Sequence, residues 1–293
     1  MANQGRALKQ RIRTTKNTKK ITKTMELVST SKMKRAQDKV AAARPYAAAL
    51  AETIADLWSP DLVDQFTLLK RPLPPSKGGP SRVALILITS NRGLAGAFNA
   101  NLIKEARRRI DTLEKQGFTV DIHAVGKKGA GFFKYLGRKL ASDRPDIGDS
   151  PTMKHALSVI DTVLAEFAAG KLAAVEMVQA KFNSALSTPP ALVQVLPIEP
   201  PARTGKKHDY ILKPDAATLL EALLPLYARN LVYRGLVETA AAEHAARRTA
   251  MKNATDNATD LIQLLTRIYN KNRQAVITQE IAEIVGGAAA LEQ

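Results

Sequence analysis

Cysteine is absent from the 293-residue sequence, and histidine occurs only four times. The lack of cysteine excludes disulfide bonds, thiol nucleophiles and thiolate metal ligands. The four histidines show no spacing that places two imidazoles on one face of a helix; they are His123, His155, His208 and His244. We therefore expect neither a metal site nor a bound cofactor.

Aromatic residues and long apolar runs are also scarce. Aromatics make up 5% of the residues, whereas alanine is abundant, and this balance favours long helices with close backbone approach over an aromatic core. The sequence has no stretch of about 18 to 20 uninterrupted apolar residues, as a membrane-spanning helix needs, and no secretory apolar segment near its start. A soluble, helix-rich protein is predicted.

The formal net charge is +17, and the excess of Lys and Arg lies in the first two thirds of the chain. Such a charge favours anionic partners, whether nucleic acid, an anionic membrane surface or acidic protein loops, and does not choose among them. The first 25 residues contain eight Lys or Arg and no acidic residue, a composition that also suits a mitochondrial transit peptide. Because this segment continues without a break into a helical pattern, we interpret it as part of a helix.

A long helix is predicted from residue 3 to about residue 58. Apolar or small residues recur there at strict spacings of three and four, as in a coiled coil: Met33, Ala36, Val40, Ala43, Ala47, Leu50, Ile54 and Leu57. An earlier and more open stripe comprises Leu8, Ile12, Ile21, Met25 and Val28. Pro45 is expected to kink the helix because it removes one backbone hydrogen bond.

A second helical pattern runs from Leu219 to the end of the chain, with Pro225 marking a kink or a restart. Its stripe comprises Ala254, Ala258, Leu261, Leu265, Ile268, Ile277, Ile281, Ile284, Ala288 and Leu291. A helix of about 60 residues spans roughly 90 Å, too long for the interior of a compact domain. The two terminal helices are therefore expected to pack on each other, with opposed residue numbers summing to about 273 if neither helix is interrupted.

The pattern between the two helices changes to alternating strands and helices. A Pro/Gly-rich linker at 70–80 precedes four predicted strands: Val83 to Thr89, Thr119 to Val125, Ala173 to Phe182 and Ala191 to Ile198. Helices are predicted at 99–116, 127–136 and 152–168. The resulting fold class is α/β, a long antiparallel coiled coil of N- and C-terminal helices with an inserted Rossmann-like α/β domain. The predicted domains are the N-terminal helix 1–58, the inserted domain 70–205 and the C-terminal helix 210–293.

The turn after the first strand, SNRGLAGAFN at 90–99, lies where a dinucleotide or phosphate site would lie. It contains Gly93 and Gly96 but not the GxGxxG pattern, and the glycines at 126–131 do not fit the phosphate-binding GxxxxGK[ST] loop. We interpret these glycines as structural. No set of residues for nucleophilic or acid-base catalysis is recognisable, and no catalytic residue is predicted.

A basic segment followed by a heptad pattern superficially matches a basic-region leucine zipper, so a basic coiled-coil nucleic-acid-binding protein is the alternative function. The heptad positions here are dominated by alanine, whereas a parallel zipper uses leucine and β-branched residues. Small residues permit tight packing against a different helix. The matching stripe at the other end of the chain provides such a partner.

Three blocks of sequence resemble the gamma-subunit family of F-type ATP synthases. ITKTMELVSTSKM at 21–33 is similar to the N-terminal signature of the family, and TSNRGLAGAFN at 89–99 resembles its central motif. ARRTAMKNATDNA at 246–258 and YNKNRQAVITQEI at 269–281 resemble its C-terminal signature. The blocks occur in the family's order and spacing, and the resemblance covers essentially the whole chain.

The resemblance implies a non-catalytic rotor shaft, present in one copy per complex. Its partners would be the hexamer of alpha and beta subunits, the epsilon subunit and the c-ring of the membrane sector, and it would bind no nucleic acid. Lys23 and Met25 are expected near the acidic lever segment of a beta subunit, with Arg247 facing Met25. The other expected contacts with the hexamer are Arg273, Gln274 and Thr278.

Near the foot of the shaft, Tyr210 and Lys213 match positions that face the ring, although Lys213 departs from the acidic residue common there. Many relatives carry cysteine where this chain has Ala95, and thiol regulation cannot operate without cysteine. The implied location is peripheral, at the cytoplasmic face of the bacterial inner membrane, or the matrix side of a mitochondrial membrane if the protein is eukaryotic.

Overall fold

A computed structural model describes residues 2–58, 65–70, 78, 80–199 and 215–291, with side chains between Gly5 and Val285 in those ranges. The chain divides into two compact units. The smaller unit comprises Met1–Val28 and Arg248–Gln293, and the larger unit comprises Ser29–Arg247. Tyr210, Lys213 and His208 lie outside the described residues.

Along the chain, a region of alternating strands and short helices lies between two very long helices, as the sequence predicts. The elements of the described residues, in chain order, are α1 (Ala2–Leu57), β1 (Arg82–Ile88), α2 (Phe98–Lys115), β2 (Thr119–Val125), α3 (Lys127–Tyr135), β3 (Leu140–Arg144), α4 (Met153–Ala168), β4 (Ala174–Ala180), β5 (Pro190–Leu196) and α5 (Ala216–Leu291). Both long helices continue through their prolines, Pro45 and Pro225.

The five strands form one mixed sheet in the order β3-β2-β1-β4-β5. Strands β1 to β4 pair in parallel, whereas β5 is antiparallel to β4. The α/β fold class with two long terminal helices is confirmed. The sequence-based prediction omitted β3, since its residues LASDR lack an apolar run, and β5 runs against the otherwise parallel sheet because a short connection without a helix precedes it.

The central strand β1 is buried on both faces, as its apolar run predicts. Ala84, Ile86 and Ile88 contribute to one core, which includes α4 and the segments of α1 and α5 that belong to the larger unit. Leu85 and Leu87 contribute to the core on the other face, under α2 and α3. Complete burial of each such aliphatic side chain contributes about 1.5 to 3 kcal/mol.

Within the larger unit, the predicted apolar stripe of α1 faces inward throughout. Six of its residues are buried, and Val40 and Ala43 are half-buried; the buried residues are Met33, Ala36, Ala47, Leu50, Ile54 and Leu57. This stripe joins the core beneath the sheet through Leu50, Ile54 and Leu57. The prediction of this helix face is confirmed.

In the smaller unit, α1 and α5 pack antiparallel around heptad stripes that differ partly from the predicted ones. The inward positions are Gly5, Leu8, Ile12, Thr15, Lys19 and Thr22 of α1, and Met251, Thr255, Ala258, Ile262, Leu265, Tyr269, Asn272 and Val276 of α5. Ile21 is 60% exposed and Leu261 is 45% exposed, so their placement in the stripes was wrong. Small threonines occupy inward positions, and apolar side chains point outward.

The two helices of the smaller unit are joined by a buried hydrogen bond between Thr255 Oγ1 and Thr22 Oγ1, 2.8 Å apart. Opposed residue numbers there sum to 277, about one helical turn from the predicted 273. The prediction took the sum from the ends of the two helices, and a difference of one turn in where they begin changes it by that amount. Gly5, Lys9, Tyr269 and Asn272 line one pocket near the end of the paired region, and this places them in the same register.

We expect the double variant Thr22→Cys, Thr255→Cys to form a disulfide readily on mild oxidation, because the two hydroxyl oxygens are in contact. The absence of native cysteine makes any bridge attributable to the engineered pair. The matched control, Thr22→Cys with Thr278→Cys, separates the thiols by more than six helical turns and should not bridge. Mobility on non-reducing gels measures both pairs. Efficient bridging of the control pair would overturn the register.

Candidate functional site

The position at which a Rossmann-like sheet would bind a ligand lies at the carboxyl end of β1. The chain continues from β1 to β2, which pairs with one side of β1, whereas β4 pairs with the other side of β1. In open α/β sheets, ligands bind in the crevice that forms at such a switch point. A ligand site of this kind in the larger unit would therefore lie in this crevice.

The backbone N–H groups at the start of α3, which such a site would offer to a phosphate, donate to atoms of the chain itself. Lys127 N donates to Asn91 Oδ1 at 2.9 Å, and Gly129 N donates to Thr89 Oγ1 at 2.9 Å. Lys128 N donates to the carbonyl oxygen of Ser90 at 3.1 Å. Because an anion site depends on free donors at a helix N-terminus, this one is closed.

Gly126, directly before α3, and Gly129, in its first turn, allow the close approach of Thr89 that closes the crevice. A Cβ atom on Gly126 would lie 2.1 Å from the carbonyl oxygen of Thr89, and Gly126 has φ of +92°. A Cβ atom on Gly129 would lie 2.9 Å from Thr89 Oγ1. At these two positions the structural interpretation of the glycines is therefore supported by the packing, and the glycines leave space for Thr89 rather than for a ligand.

The same end of β1 is covered by a buried polar cluster on α5. Arg247 Nη2 donates to Glu243 Oε1 at 2.6 Å, and Arg247 Nε and Nη2 donate to the carbonyl oxygen of Gly93 at 3.3 Å each. His244 Nδ1 lies 3.4 Å from Arg247 Nη1. Only 6% of Glu243 and 7% of Arg247 are exposed. Burial raises the pKa of Glu243, and the neighbouring Arg247 opposes that shift.

The remaining space in the crevice is a cavity of about 20 Å³, lined in part by Ser90, Asn91, Asp149 and Glu243. A cavity of this volume holds about one water molecule, whereas pockets for small ligands occupy roughly 300 to 1,000 Å³. Among the described residues, no group of three or more His, Cys, Asp or Glu side chains is arranged to hold a metal ion. The crevice is filled by the chain's own side chains.

His244 makes the stability of the larger unit dependent on pH. Burial is the main cause that lowers the pKa of His244 to about 4; Arg247, Lys32 and Arg92 act in the same direction, and Asp149 opposes them. The unfolded chain, with a His pKa near 6.5, binds more protons between about pH 4 and 6.5, so this contribution to stability is lost as the pH falls through that window.

We expect His244→Gln to flatten the pH dependence of unfolding between about pH 4 and 6.5, by at most about 3 kcal/mol across the window. Trp58, the only tryptophan, packs against the core of the larger unit and reports its unfolding by fluorescence. His155→Gln, which replaces a half-buried histidine at the start of α4, is the control. Identical pH profiles for His244→Gln and the wild type would contradict this assignment.

The relatives of the chain are found along its full length. The family model described as ATP synthase matches residues 4–291. The ATP synthase gamma chain of Gemmatimonas aurantiaca is 60% identical over 291 residues, covering 98% of this chain and 99% of that protein. The chain belongs to the ATP synthase gamma chain family. The gamma chain of Frankia casuarinae is 40% identical over 300 residues, covering 99% of both proteins.

Chains of solved ATP synthase structures share the fold. A chain of the Euglena gracilis mitochondrial ATP synthase, in the OSCP/F1/c-ring assembly, matches with a TM-score of 0.68 at 20% identity, covering 99% of this chain and 95% of that chain. A chain of the rotor of the same enzyme matches with a TM-score of 0.64 at 21% identity, covering 94% of this chain and all of that chain. The comparisons give no support to the alternative of a nucleic-acid-binding protein.

Four of the six residues that the family resemblance assigns to rotor–stator contacts lie on the surface of the smaller unit. Lys23 is exposed and pairs with Glu26 at 3.1 Å. Arg273, Gln274 and Thr278 are exposed on α5, where Thr278 Oγ1 donates to the carbonyl oxygen of Gln274. Met25 is half-buried. These positions remain predictions because no partner chain is present.

Arg247 lies in the larger unit and is buried, with its guanidinium donating to Glu243 and Gly93. The facing of Arg247 and Met25 remains a prediction. The sequence reasoning missed Glu243 and His244 as polar groups of the same cluster. The sequence did contain a signal for this cluster. Glu243, His244 and Arg247 lie in the alanine-rich stretch AAAEHAARR, and a helix whose small apolar residues lie on all sides is buried together with the polar residues it contains.

In the described residues, no helix has the length and apolar content required to cross a membrane. ATP synthase gamma chains are peripheral components of a membrane-associated complex, and the family membership of this chain makes it a component of that kind.

Proposed function

We propose that this protein is the central rotor shaft of an F-type ATP synthase, coupling rotation of a proton-driven c-ring to ATP synthesis or hydrolysis in a hexamer of alpha and beta subunits. The observation that carries this proposal is the 60% identity to an ATP synthase gamma chain along 98% of the sequence. The shared fold with chains of solved rotors and central stalks supports it. One copy per complex acts together with an epsilon subunit.

The proposed shaft catalyses nothing itself. The crevice of the Rossmann-like sheet is occupied by Thr89, Asn91 and the cluster around Glu243, which supports a purely mechanical role. We expect no heat of binding when Mg-ATP is titrated into the full-length chain at micromolar concentrations. Stoichiometric binding that is lost on replacing Gly126 would contradict the closed crevice.

The shaft would act on the hexamer through differential contacts. A rotor shifts the affinity of a nucleotide site only by interacting more favourably with one form of that site than with another, and a 10⁴-fold change requires about 5.5 kcal/mol. Lys23, Met25, Arg273, Gln274 and Thr278 are proposed to provide part of this energy from the surface. Arg247 is proposed to act from inside the larger unit, since its guanidinium donates a hydrogen bond to Glu243 there.

The apolar end of α5 supports a surrounding partner. Among the described side chains, Ile281, Ile284 and Val285 are 56%, 71% and 63% exposed. A row of such residues is costly in water and marks a surface that another protein covers. We propose that the inner surface of the hexamer covers it, and that Tyr210 and Lys213 contact the ring. The proposed location is the cytoplasmic face of a bacterial inner membrane.

Co-purification tests the proposed function directly. Detergent extraction of membranes with an affinity tag on this chain should yield alpha and beta chains in threefold excess over one copy of the tagged protein, a stoichiometry that follows from a single asymmetric shaft inside a ring of alternating subunits. Recovery of the tagged chain alone, or with nucleic acid, from membranes that contain active ATP synthase would refute the proposal.

A further inference from the structure

A chain of polar contacts links the long helices to the α/β sheet at one end of the larger unit. Lys32 of α1 forms a salt bridge with Asp149 in the loop before α4. Asn91, in the loop after β1, donates from Nδ2 to the carbonyl oxygens of Pro145 and Ile147 at 2.9 and 3.0 Å. Arg247 of α5 donates to Gly93 of that same loop.

We infer that the Lys32–Asp149 and Arg247–Gly93 contacts, which we call the anchor, fix the rotational setting of the two long helices on the α/β domain. This inference rests on the proposed rotor function, because it names the residues through which torque passes between the domain and the helices. Lys32, Asp149 and Arg247 are positioning residues in this role. They contact no nucleotide.

The physical basis is the directional character of these contacts. The stripe of α1 against the core consists largely of alanine and aliphatic residues, such as Ala36 and Ala47, and apolar burial is non-directional. A rotation large enough to expose this stripe is costly, whereas a small rotation exchanges similar apolar contacts at little cost. A charge-assisted hydrogen bond depends on the donor–acceptor angle and distance, so it resists that turn.

The burial of the anchor strengthens it. Arg247 is held by Glu243 within a region of low exposure, where a hydrogen bond is electrostatically stronger than in water. The side chains of Lys32 and Asp149 are 36% and 28% exposed, so their pair is partly desolvated. About two turns further along α1, Lys39 Nζ donates to Ser150 Oγ, which supplies a second link to the same loop.

A charge swap tests the anchor in the assembled enzyme. Lys32→Glu and Asp149→Lys each place two like charges together, and the double variant restores an opposite pair. The measurement is the ratio of proton pumping to ATP hydrolysis in inverted membrane vesicles, normalised to the content of this chain by immunoblot. We expect each single variant to lower the ratio at least about twofold, as mutations in coupling networks do, and the double variant to restore it.

Three further variants separate the anchor from general stability. Arg138→Glu disrupts an exposed salt bridge between Arg138, which follows α3, and Glu114 of α2; it should leave the ratio unchanged. Lys32→Gln removes the pair without like-charge repulsion, and it replaces Lys32→Glu if that variant does not assemble. Lys32→Arg keeps the positive charge and should keep the ratio near that of the wild type.

The outcomes distinguish the anchor from the proposed function. An unchanged ratio in the assembled single variants, or no recovery in the double variant, would overturn the anchor while leaving the rotor function intact. A wild-type chain that neither co-purifies with alpha and beta subunits nor supports pumping would refute the rotor function, and the anchor would fall with it.

Discussion

Replacing Gly126 with alanine is expected to destabilise the larger unit by about 4 kcal/mol, the sum of backbone strain and overpacking. Gly126 has φ of +92° and ψ of 143°, a conformation that residues with a Cβ atom rarely adopt. The added Cβ atom would lie 2.1 Å from the carbonyl oxygen of Thr89. The backbone strain and the clash with Thr89 both arise from the added Cβ atom. A local change of φ therefore does not relieve the clash.

Thr89 has little freedom to move away from the added methyl group. Its backbone N–H donates to the carbonyl oxygen of Val125 at 2.8 Å, and its hydroxyl donates to the same oxygen at 3.0 Å. The hydroxyl also accepts from Gly129 N at 2.9 Å. Displacing Thr89 would break this set of buried hydrogen bonds, each with a net value of about 1 kcal/mol.

Gly131→Ala is the matched control for Gly126→Ala. Gly131 lies in α3, the helix that begins directly after Gly126, with nothing within 4 Å of an added Cβ atom. Alanine is favoured over glycine inside a helix by up to about 1 kcal/mol, so this variant should be neutral or stabilising. Urea denaturation of the full-length chain, followed by Trp58 fluorescence, measures both. A Gly126→Ala variant within 1 kcal/mol of the wild type would show that the loop relaxes around the methyl group.

The apolar patterns that could be predicted from sequence are those whose stripes contain apolar residues at nearly every inward position. The segment of α1 from Met33 to Leu57 is of this kind, and so is the buried strand β1. In the smaller unit, inward positions are occupied by Thr15, Lys19 and Thr22 of α1. A stripe defined by hydrophobicity alone therefore shifted to Ile21 and Val28, which are 60% and 50% exposed.

The exposed apolar residues of the smaller unit are informative because hydrophobicity did not predict which face of each helix packs against the other helix. Ile21 and Leu27, for example, are exposed on the surface of the smaller unit. The sequence alone does not distinguish a residue that is buried against its own chain from one that is buried against another chain. An assembly that surrounds the helices makes both kinds of position apolar. The sequence pattern then reflects two interfaces at once, and the strict spacing of either one is obscured.

The topology of the sheet could be predicted for the strands with apolar runs and helical crossovers. β3 escaped because Leu140–Arg144 is a half-buried edge strand with polar side chains. The closed crevice could be predicted only in part, from the incomplete glycine motifs. Which side chains fill it depends on a contact between Gly93 and Arg247, 154 positions apart in sequence, and no local pattern encodes such a contact.

Arg247→Ala is expected to destabilise the larger unit by about 3 to 5 kcal/mol, the usual loss when one partner of a buried ion pair is removed. Glu243 is 6% exposed, and Arg247 supplies its charge partner at 2.6 Å. Without the guanidinium, the carboxylate must remain charged in a region that disfavours charge or take up a proton. The carbonyl oxygen of Gly93 loses two donors as well.

Arg234→Ala provides a control on the same helix. Arg234 pairs with Glu238, four positions further along the helix, at 3.6 Å, and its side chain is 43% exposed; an exposed pair of this kind contributes less than about 1 kcal/mol. The double variant Glu243→Gln, Arg247→Met removes both charges and should recover part of the loss, because the uncompensated carboxylate is then absent. Trp58 fluorescence during urea denaturation measures all three proteins. If Arg247→Ala unfolds at the same urea concentration as Arg234→Ala, the buried pair does not stabilise the larger unit, and the contact with Gly93 does not hold α5 against the sheet.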